Sequence, residues 1–386
     1  MRIAYFTDTR DIGGAERNLA DMALASLAAG HDVTLLAPQQ AVVDYLASVV
    51  PGAACLVAGS DAYHDAATAS ARVASLRREV AALRNVFRRL NTDLLHVNNG
   101  GFPGSDLCRL APLAARLAGV SHRVMSVHSN PWARDFLANP RVQAIADASV
   151  WHNVDAVVCP SEAVASGLHE RRGMPARLTR LLHYGVSDPA AGSAEEIAEL
   201  RRRLAPGDEL LVGMVSARAV PEKGYDVFAQ ALALCGPDVR GALVGPIPDW
   251  DFTAALSEQD GAERLTIEGL VRPVGSHYRA FDVVVVPSTG EECMPLVILE
   301  AMAAGRAVIG SRLSGIPEAI VDGSTGLTVP VSDPPALAAA IQQLGADPAR
   351  RAAMGSAGRD RWERLFTPDV MHDALAALYA AVTAGH

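Results

Sequence analysis

The chain has 386 residues, half of them apolar and a fifth charged, with a formal net charge of −9. That length suits about two or three domains, the apolar share argues against disorder, and the negative charge disfavours nonspecific nucleic-acid binding as the main activity. Lys223 is the only lysine among 34 basic residues, so an arginine-rich composition explains its rarity but not its place.

The start, "MRIAYFTDT", turns polar after six residues and has no signal-peptide core. No apolar run approaches the ~18–20 residues of a spanning helix; the most apolar helical run, "ALAALYAAV", is far shorter. The five cysteines (Cys55, Cys108, Cys159, Cys235, Cys293) are scattered and form no Cys-x-x-Cys pair. The expectation is a cytoplasmic protein without a disulfide framework or zinc site.

In chain order, "RIAYFTD" reads as a buried strand. "GGAERNLADMALASLAAG" follows as a helix, with Leu19, Met22, Leu24 and Leu27 mostly on one side and Gly30 as a stop. Gly13 and Gly14 sit between that strand and helix, where bare backbone N–H groups can approach a phosphate or an acceptor hydroxyl. A Gly-Gly turn is equally a common structural device, and the full Gly-x-Gly-x-x-Gly fingerprint is absent. "HDVTLLAP" is the next strand.

The spacing over 72–90 predicts a helix with one apolar stripe: Val73, Leu76, Val80, Leu83, Phe87 and Leu90. Six arginines face elsewhere, against one acid, Glu79. Two readings stand: a solvated outer face, or a patch giving weak peripheral contact with an anionic membrane surface or acceptor. The strands "DLLHVNN", "VSHRVMSVHSN" and "DAVVCPS" follow. His128 ends the second, where a side chain would project into a ligand site, and His96 and Asn98 end the first, where they could line an acceptor. A lone histidine at a strand end is otherwise a structural residue. The loops 58–72 and 130–150 carry no chemical reading.

After a polar segment near 186–208, read as a hinge, the pattern restarts with "LLVGMVS", "RGALVGP", "RLTIEGL", "FDVVVVPS" and "AVIGS". The expected fold is α/β: two Rossmann-like domains, 1–188 (with 368–386 packing back on it) and 205–367, facing across a ligand-binding cleft. In "SARAVPEKGYDVF", Arg218 and Lys223 are paired with a sheet end, although a loop lysine could equally pair with Glu222 or Asp226. In "PSTGEECMPLVILEAMAAGRAV", Pro295 suits a first helical turn. The free amides over 295–297 and the helix dipole make an anion site. Glu300, further along, could accept hydrogen bonds from a ribose diol.

That run closely resembles the signature of the family 4 glycosyltransferases of the GT-B fold, whose glutamates stand as Glu292 and Glu300 do, seven residues between them. "SGIPEAIVDGSTGLTV", "SARAVPEKGYDVF" and "GGAERNLADMALASLAAGHDVTLL" resemble the family's other segments. The resemblance implies a retaining, metal-independent hexosyl transfer from a nucleotide sugar of the UDP or GDP type to a glycan, glycolipid or small-molecule acceptor. No cofactor is implied beyond the nucleotide-sugar co-substrate. It implies Arg218 and Lys223 on the diphosphate, Glu292 on sugar hydroxyls, His128 on the donor sugar, and Glu300 on the ribose. Gly14, Cys293, Met294, Pro295 and Leu296 would hold sugar and phosphates through backbone groups, and Leu270 and Val271 would sandwich the base; Gly13 lies on the acceptor side. Cys293–Met294 replace a common Gly–aromatic pair, and Tyr184 in "YGVSD" replaces a usual Asn. A non-catalytic sugar-nucleotide binder and a sugar-nucleotide epimerase on the same scaffold are the rivals. A pyridoxal-phosphate phosphorylase needs a Schiff-base lysine, and the sole lysine already has a place on the diphosphate.

Overall fold

Runs such as "VVVV" have no polar alternation, so they suit strands covered on both faces. The computed structural model, which describes residues 1–9, 12–60, 68–131, 139–246 and 262–385, puts Val283–Val286 in such a strand, all four buried. The chain divides into two compact units: residues 1–185 with 368–386, and residues 186–367.

The first unit alternates strands and helices: β1 (Arg2–Thr7), α1 (Gly14–Ala28), β2 (Asp32–Ala37), α2 (Gln40–Val49), β3 (Ala54–Val57), α3 (Ala69–Leu90) and β4 (Leu94–Asn99). It continues with α4 (Asp106–Ala118), β5 (His122–Val127), α5 (Pro140–Asn153), β6 (Ala156–Cys159), α6 (Glu162–Arg172) and β7 (Thr179–Leu181). Its seven strands are all parallel, in the order β3-β2-β1-β4-β5-β6-β7.

The second unit holds α7 (Ala194–Leu204), β8 (Leu210–Val215), α8 (Tyr225–Leu234), β9 (Val239–Val244), β10 (Leu265–Gly269), α9 (Gly275–Ala280) and β11 (Val283–Val286). Then come α10 (Leu296–Ala303), β12 (Ala307–Ser311), α11 (Ile316–Ala319), β13 (Gly326–Val329), α12 (Pro334–Ala346) and α13 (Pro348–Leu365). Its six parallel strands run β10-β9-β8-β11-β12-β13. Both sheets reverse their winding beside their first strand, at β1/β4 and at β8/β11. In doubly wound sheets that reversal opens a crevice at the carboxyl ends of the strands.

The last helix, α14 (Pro368–Thr383), joins the first unit. Met371, Leu375, Leu378, Tyr379 and Val382 enter the core built from Tyr5, Leu19, Leu35 and Val124. The Tyr379 hydroxyl lies 2.7 Å from both the Tyr5 hydroxyl and His96 Nδ1, so the helix docks on polar as well as apolar groups.

Two helix readings need correction. Leu24 is exposed, while Leu19 and Met22 are buried together with Ala20, Ala23 and Ser26, so small residues rather than the leucines alone draw the α1 core face. On α3, Leu83 and Phe87 are buried but Val73 is half exposed, because only the later turns of the stripe reach the core. Of the two loops without a chemical reading, residues 61–67 and 132–138 lie outside the described residues. Among the described residues no helix is long and apolar enough to cross a membrane.

Candidate active site

In the second unit, the β8/β11 crevice gathers the charged residues. After β8 the chain turns at Ser216, whose hydroxyl donates to the Arg218 carbonyl (2.9 Å); the Tyr225 hydroxyl donates to the same oxygen (2.9 Å). These bonds fix the backbone at 218. The Arg218 side chain is exposed, and no described residue takes its guanidinium in a hydrogen bond or ion pair.

A single 3-10 turn, Pro221–Lys223, leads into Gly224 at φ +76. A Cβ at 224 would collide with the Pro287 carbonyl at the end of β11, so only glycine lets the turn lie against that strand. The Glu222 carbonyl accepts from the N–H groups of Thr289 (2.8 Å) and Gly290 (3.1 Å), which ties the turn to the loop after β11.

That tie brings together residues 69 apart in sequence. Lys223 Nζ donates to Glu292 Oε1 at 2.6 Å, and the buried Ser288 hydroxyl donates to the same oxygen at 2.8 Å. Both charged side chains are largely screened from solvent, at 28% and 14% exposure, so the attraction is stronger than for a surface pair. The alternative partners of Lys223, Glu222 and Asp226, are therefore set aside. Neither Lys223 nor Ser288 alone would hold the carboxylate in one orientation; together they do. The Glu292 carbonyl also accepts from Gly315 N–H (2.9 Å), which fixes the backbone beneath the side chain.

The helix after Glu292 starts one residue later than its sequence implies. Pro295 is the cap, with φ −67 and ψ 116, and Leu296 is the first helical residue. Proline has no N–H, so the free amides begin at Leu296 and Val297 rather than at 295. The polypeptide at Cys293 and Met294 leads into this cap, with Met294 and Pro295 buried and Cys293 half-buried. Glu300 lies in the second turn of α10, where its Oε2 accepts from the buried Tyr278 hydroxyl at 2.6 Å. At the end of β10, Leu270 is 62% exposed and Val271 is half-buried, so a core role does not account for Leu270.

In the first unit, His128 follows β5 directly and lies beside Asn98 of β4. Its Nε2 is 2.6 Å from Asn98 Oδ1, and its Nδ1 is 2.9 Å from the Tyr184 hydroxyl. A neutral ring satisfies both: Nε2–H donates to the amide oxygen and Nδ1 accepts from the phenol. Burial pushes its pKa down to about 4, so it is uncharged at neutral pH. Tyr184, standing where an Asn was expected, thus serves as an anchor for His128. Asn98 reaches Thr7 Oγ1 with its other amide atom at 3.5 Å.

His96 requires a correction. It is the third residue of β4, fully buried, with Nδ1 2.7 Å from Tyr379 Oη and Nε2 2.7 Å from Ser126 Oγ. Burial, and then the neighbouring His128, push its pKa to about 3. It belongs to the interior and cannot line an acceptor. Gly13 caps α1, and its N–H donates to the Glu16 side chain (Oε2, 2.9 Å), so that amide is already occupied; Gly14 is the first helical residue.

Sequence reasoning missed Ser288 and Tyr278. Ser288 lies in the quoted "PSTGEECMPLVILEAMAAGRAV" run, but nothing local names Glu292 as its partner; Tyr278 lies outside the quoted motifs, on a short helix in the same unit.

Two doubly wound units, one with a lysine–glutamate corner beside a helix amino end, define the GT-B class of glycosyltransferases. The chain belongs to the family 4 glycosyltransferases of that fold. The model of "Glycosyltransferase Family 4" matches residues 12–188, and that of "Glycosyl transferases group 1" matches residues 209–347. A GDP-mannose-dependent alpha-(1-6)-phosphatidylinositol monomannoside mannosyltransferase of Mycolicibacterium smegmatis is 32% identical over 273 residues, covering 67% of this chain and 70% of that protein. A D-inositol 3-phosphate glycosyltransferase of Streptomyces avermitilis is 29% identical, over 70% of this chain but only 61% of its own length. Anabaena HepE, solved with UDP, shares the fold with a TM-score of 0.82 and 21% identity, over 99% of this chain and 100% of its own.

Proposed function

We propose that this chain transfers a sugar, with retention, from a nucleoside diphosphate donor of the UDP or GDP type to an acceptor hydroxyl. The observation that carries the reading is the meeting of Lys223 and Glu292 at 2.6 Å at the ends of the paired strands β8 and β11. The GDP-mannose dependence named for the M. smegmatis relative supports a diphosphate donor.

The chemistry follows from the charges. The bond between the anomeric carbon and the diphosphate oxygen breaks, and negative charge grows on that oxygen. Arg218, Lys223 and the first amides of α10 would bind this charge more strongly in the transition state than before it. These cations supply what a metal ion would otherwise supply, so the reaction is proposed to be metal-independent. Glu292 would accept hydrogen bonds from sugar hydroxyls; His128, in the first unit, stays neutral with its ring nitrogens bonded to Asn98 and Tyr184 and supplies no proton. The acceptor oxygen forms the new bond on the face the leaving group vacates, through an oxocarbenium-like state, and its proton passes to the departing phosphate. Glu300 would hold the ribose diol, while Leu270 and Val271 would cover the base.

A thermal-shift screen tests the donor class. UDP or GDP at about a hundred times its dissociation constant is expected to stabilise the protein by about 2.7 kcal/mol. The absence of a shift with every nucleoside diphosphate would contradict the reading.

The acceptor is proposed to be a glycan or glycolipid reached at an anionic membrane surface. Arg77, Arg78, Arg88 and Arg89 of α3 are exposed, as is half of Val73, on a chain whose net charge is −9. Arg72 is offset by Asp106 at 2.5 Å. Each basic residue near an anionic bilayer contributes roughly 1 kcal/mol. Co-sedimentation with phosphatidylglycerol vesicles at low salt is expected, and loss of binding in Arg77→Glu/Arg78→Glu/Arg88→Glu. Equal sedimentation with neutral vesicles, or none with either, would sink the membrane reading.

A further inference from the structure

We propose that Tyr278 is a positioning residue that makes Glu300 a reader of ribose, so that the short helix α9 selects ribonucleotides over deoxyribonucleotides. The inference rests on the reading of Glu300 as the ribose contact. Tyr278 is fully buried, and its hydroxyl donates to Glu300 Oε2 at 2.6 Å, a short bond from a neutral donor to a charged acceptor. The phenol keeps its proton, because burial and the adjacent carboxylate both raise its pKa well above the usual value. Toward Glu300 it is therefore the donor, and it fixes one oxygen of the carboxylate in direction. A glutamate side chain left to rotate would lose much of its grip on a vicinal diol, since orientation must then be ordered on binding.

The mount behind Tyr278 is rigid. A Cβ at Gly275, the first residue of α9, would collide with the carbonyls of Pro189 and Ala190, so the helix lies directly under that segment. Arg279 donates to the Pro189 carbonyl (2.7 Å) and pairs with Asp188 (2.6 Å), and the Ser276 hydroxyl accepts from Gly192 N–H (2.8 Å). The neighbour of Tyr278 secures the other side of the nucleoside. His277 Nε2 is 3.2 Å from Glu268 Oε2, and Arg203 holds the same carboxylate with two bonds, at 2.7 and 2.5 Å. Glu268 lies in β10, immediately before Gly269, Leu270 and Val271, the proposed base contacts. One clamped helix thus sets both the residue that reads the sugar ring of the nucleoside and the strand end that covers its base.

The test is calorimetric titration of the wild type and Tyr278→Phe with UDP and dUDP, and with GDP and dGDP. Wild type is expected to bind the ribonucleotide about tenfold more tightly than its 2′-deoxy form, the effect of one hydrogen bond to a charged group. Tyr278→Phe is expected to bring that ratio near one, through weaker binding of the ribonucleotide alone, with little change in kcat for the sugar nucleotide. Glu300→Gln is expected to bring the ratio near one as well, again through weaker binding of the ribonucleotide. If Tyr278→Phe weakens both nucleotides by one factor, Tyr278 serves only the fold and the inference fails. A wild type that binds ribo- and deoxyribonucleotides equally would overturn it together with the ribose role of Glu300, while leaving sugar transfer standing. Failure of the wild type to bind any of the four would overturn the nucleotide-sugar reading itself.

Discussion

Lys223→Ala is expected to lower kcat/KM for the sugar nucleotide by roughly 100- to 1,000-fold, the usual effect of removing one preorganised group that stabilises developing charge. The melting temperature should fall only modestly: the turn stays fixed by Gly224 and the Glu222 carbonyl, and Glu292 loses its cation but keeps the Ser288 hydrogen bond. Lys223→Arg is the sharper variant. Its ammonium is a compact charge 2.6 Å from Glu292, in a space bounded by the 288–292 loop. A planar guanidinium needs a wider approach and prefers two parallel acceptors. Arginine is therefore expected to recover less than a tenth of the lost activity. Steady-state kinetics with saturating acceptor decide it, and unchanged kcat/KM in Lys223→Arg would show that any cation serves.

Glu292→Gln should move catalysis and nucleotide binding in opposite directions. In the protein without ligand, the Glu292 carboxylate offsets the Lys223 charge. A diphosphate that approaches Lys223 must share the ammonium with that carboxylate and meets its like charge as well. Glutamine keeps the size and the hydrogen bond from Ser288 but removes the charge. Binding of UDP or GDP should then tighten several-fold, by less than the ~4 kcal/mol of a close ion pair at intermediate dielectric. Transfer should fall by about 100-fold, because the grip on the sugar hydroxyls weakens at the reacting centre. Titration calorimetry and turnover on the same preparation separate the two. Parallel losses in both would mean that Glu292 only holds Lys223 in place.

Much of the fold could be read from the sequence because parallel strands are uniformly apolar and their helices keep a 3.6-residue period. "VVVV" and "LLVGMV" can scarcely be anything but buried strands, and the order of strands and helices then allows few topologies. Lys223, Glu292 and Glu300 stood out for a different reason, the match of their surroundings to a family signature. A single loop lysine, or two glutamates with seven residues between them, is a common surface pattern by itself, and only the matching motif around each gave it a place.

What was not legible depended on distant partners. All six residues of β4 are buried, so its pattern does not say which polar side chains face a ligand and which face the core. His96 is an interior residue because of Tyr379, 283 positions away on a helix that nothing in "DLLHVNN" announces. Tyr278 and Ser288 were invisible in the same way: each is a lone hydroxyl whose meaning comes from a glutamate on another element. The start of α10 was misplaced by one residue because proline is favoured both in a first turn and just before it, and only the backbone angles separate the two.

The Lys223–Glu292 corner is proposed to serve sugar transfer. Acceptor-dependent release of UDP or GDP from a panel of sugar nucleotides, by wild type and Lys223→Ala side by side, tests it most directly. Release by the wild type, matched by glycosylated acceptor, is expected, with about 100-fold less, or lower still, from the variant. Sugar nucleotides that bind the wild type but are never turned over, across glycan, glycolipid and small-molecule acceptors, would contradict it.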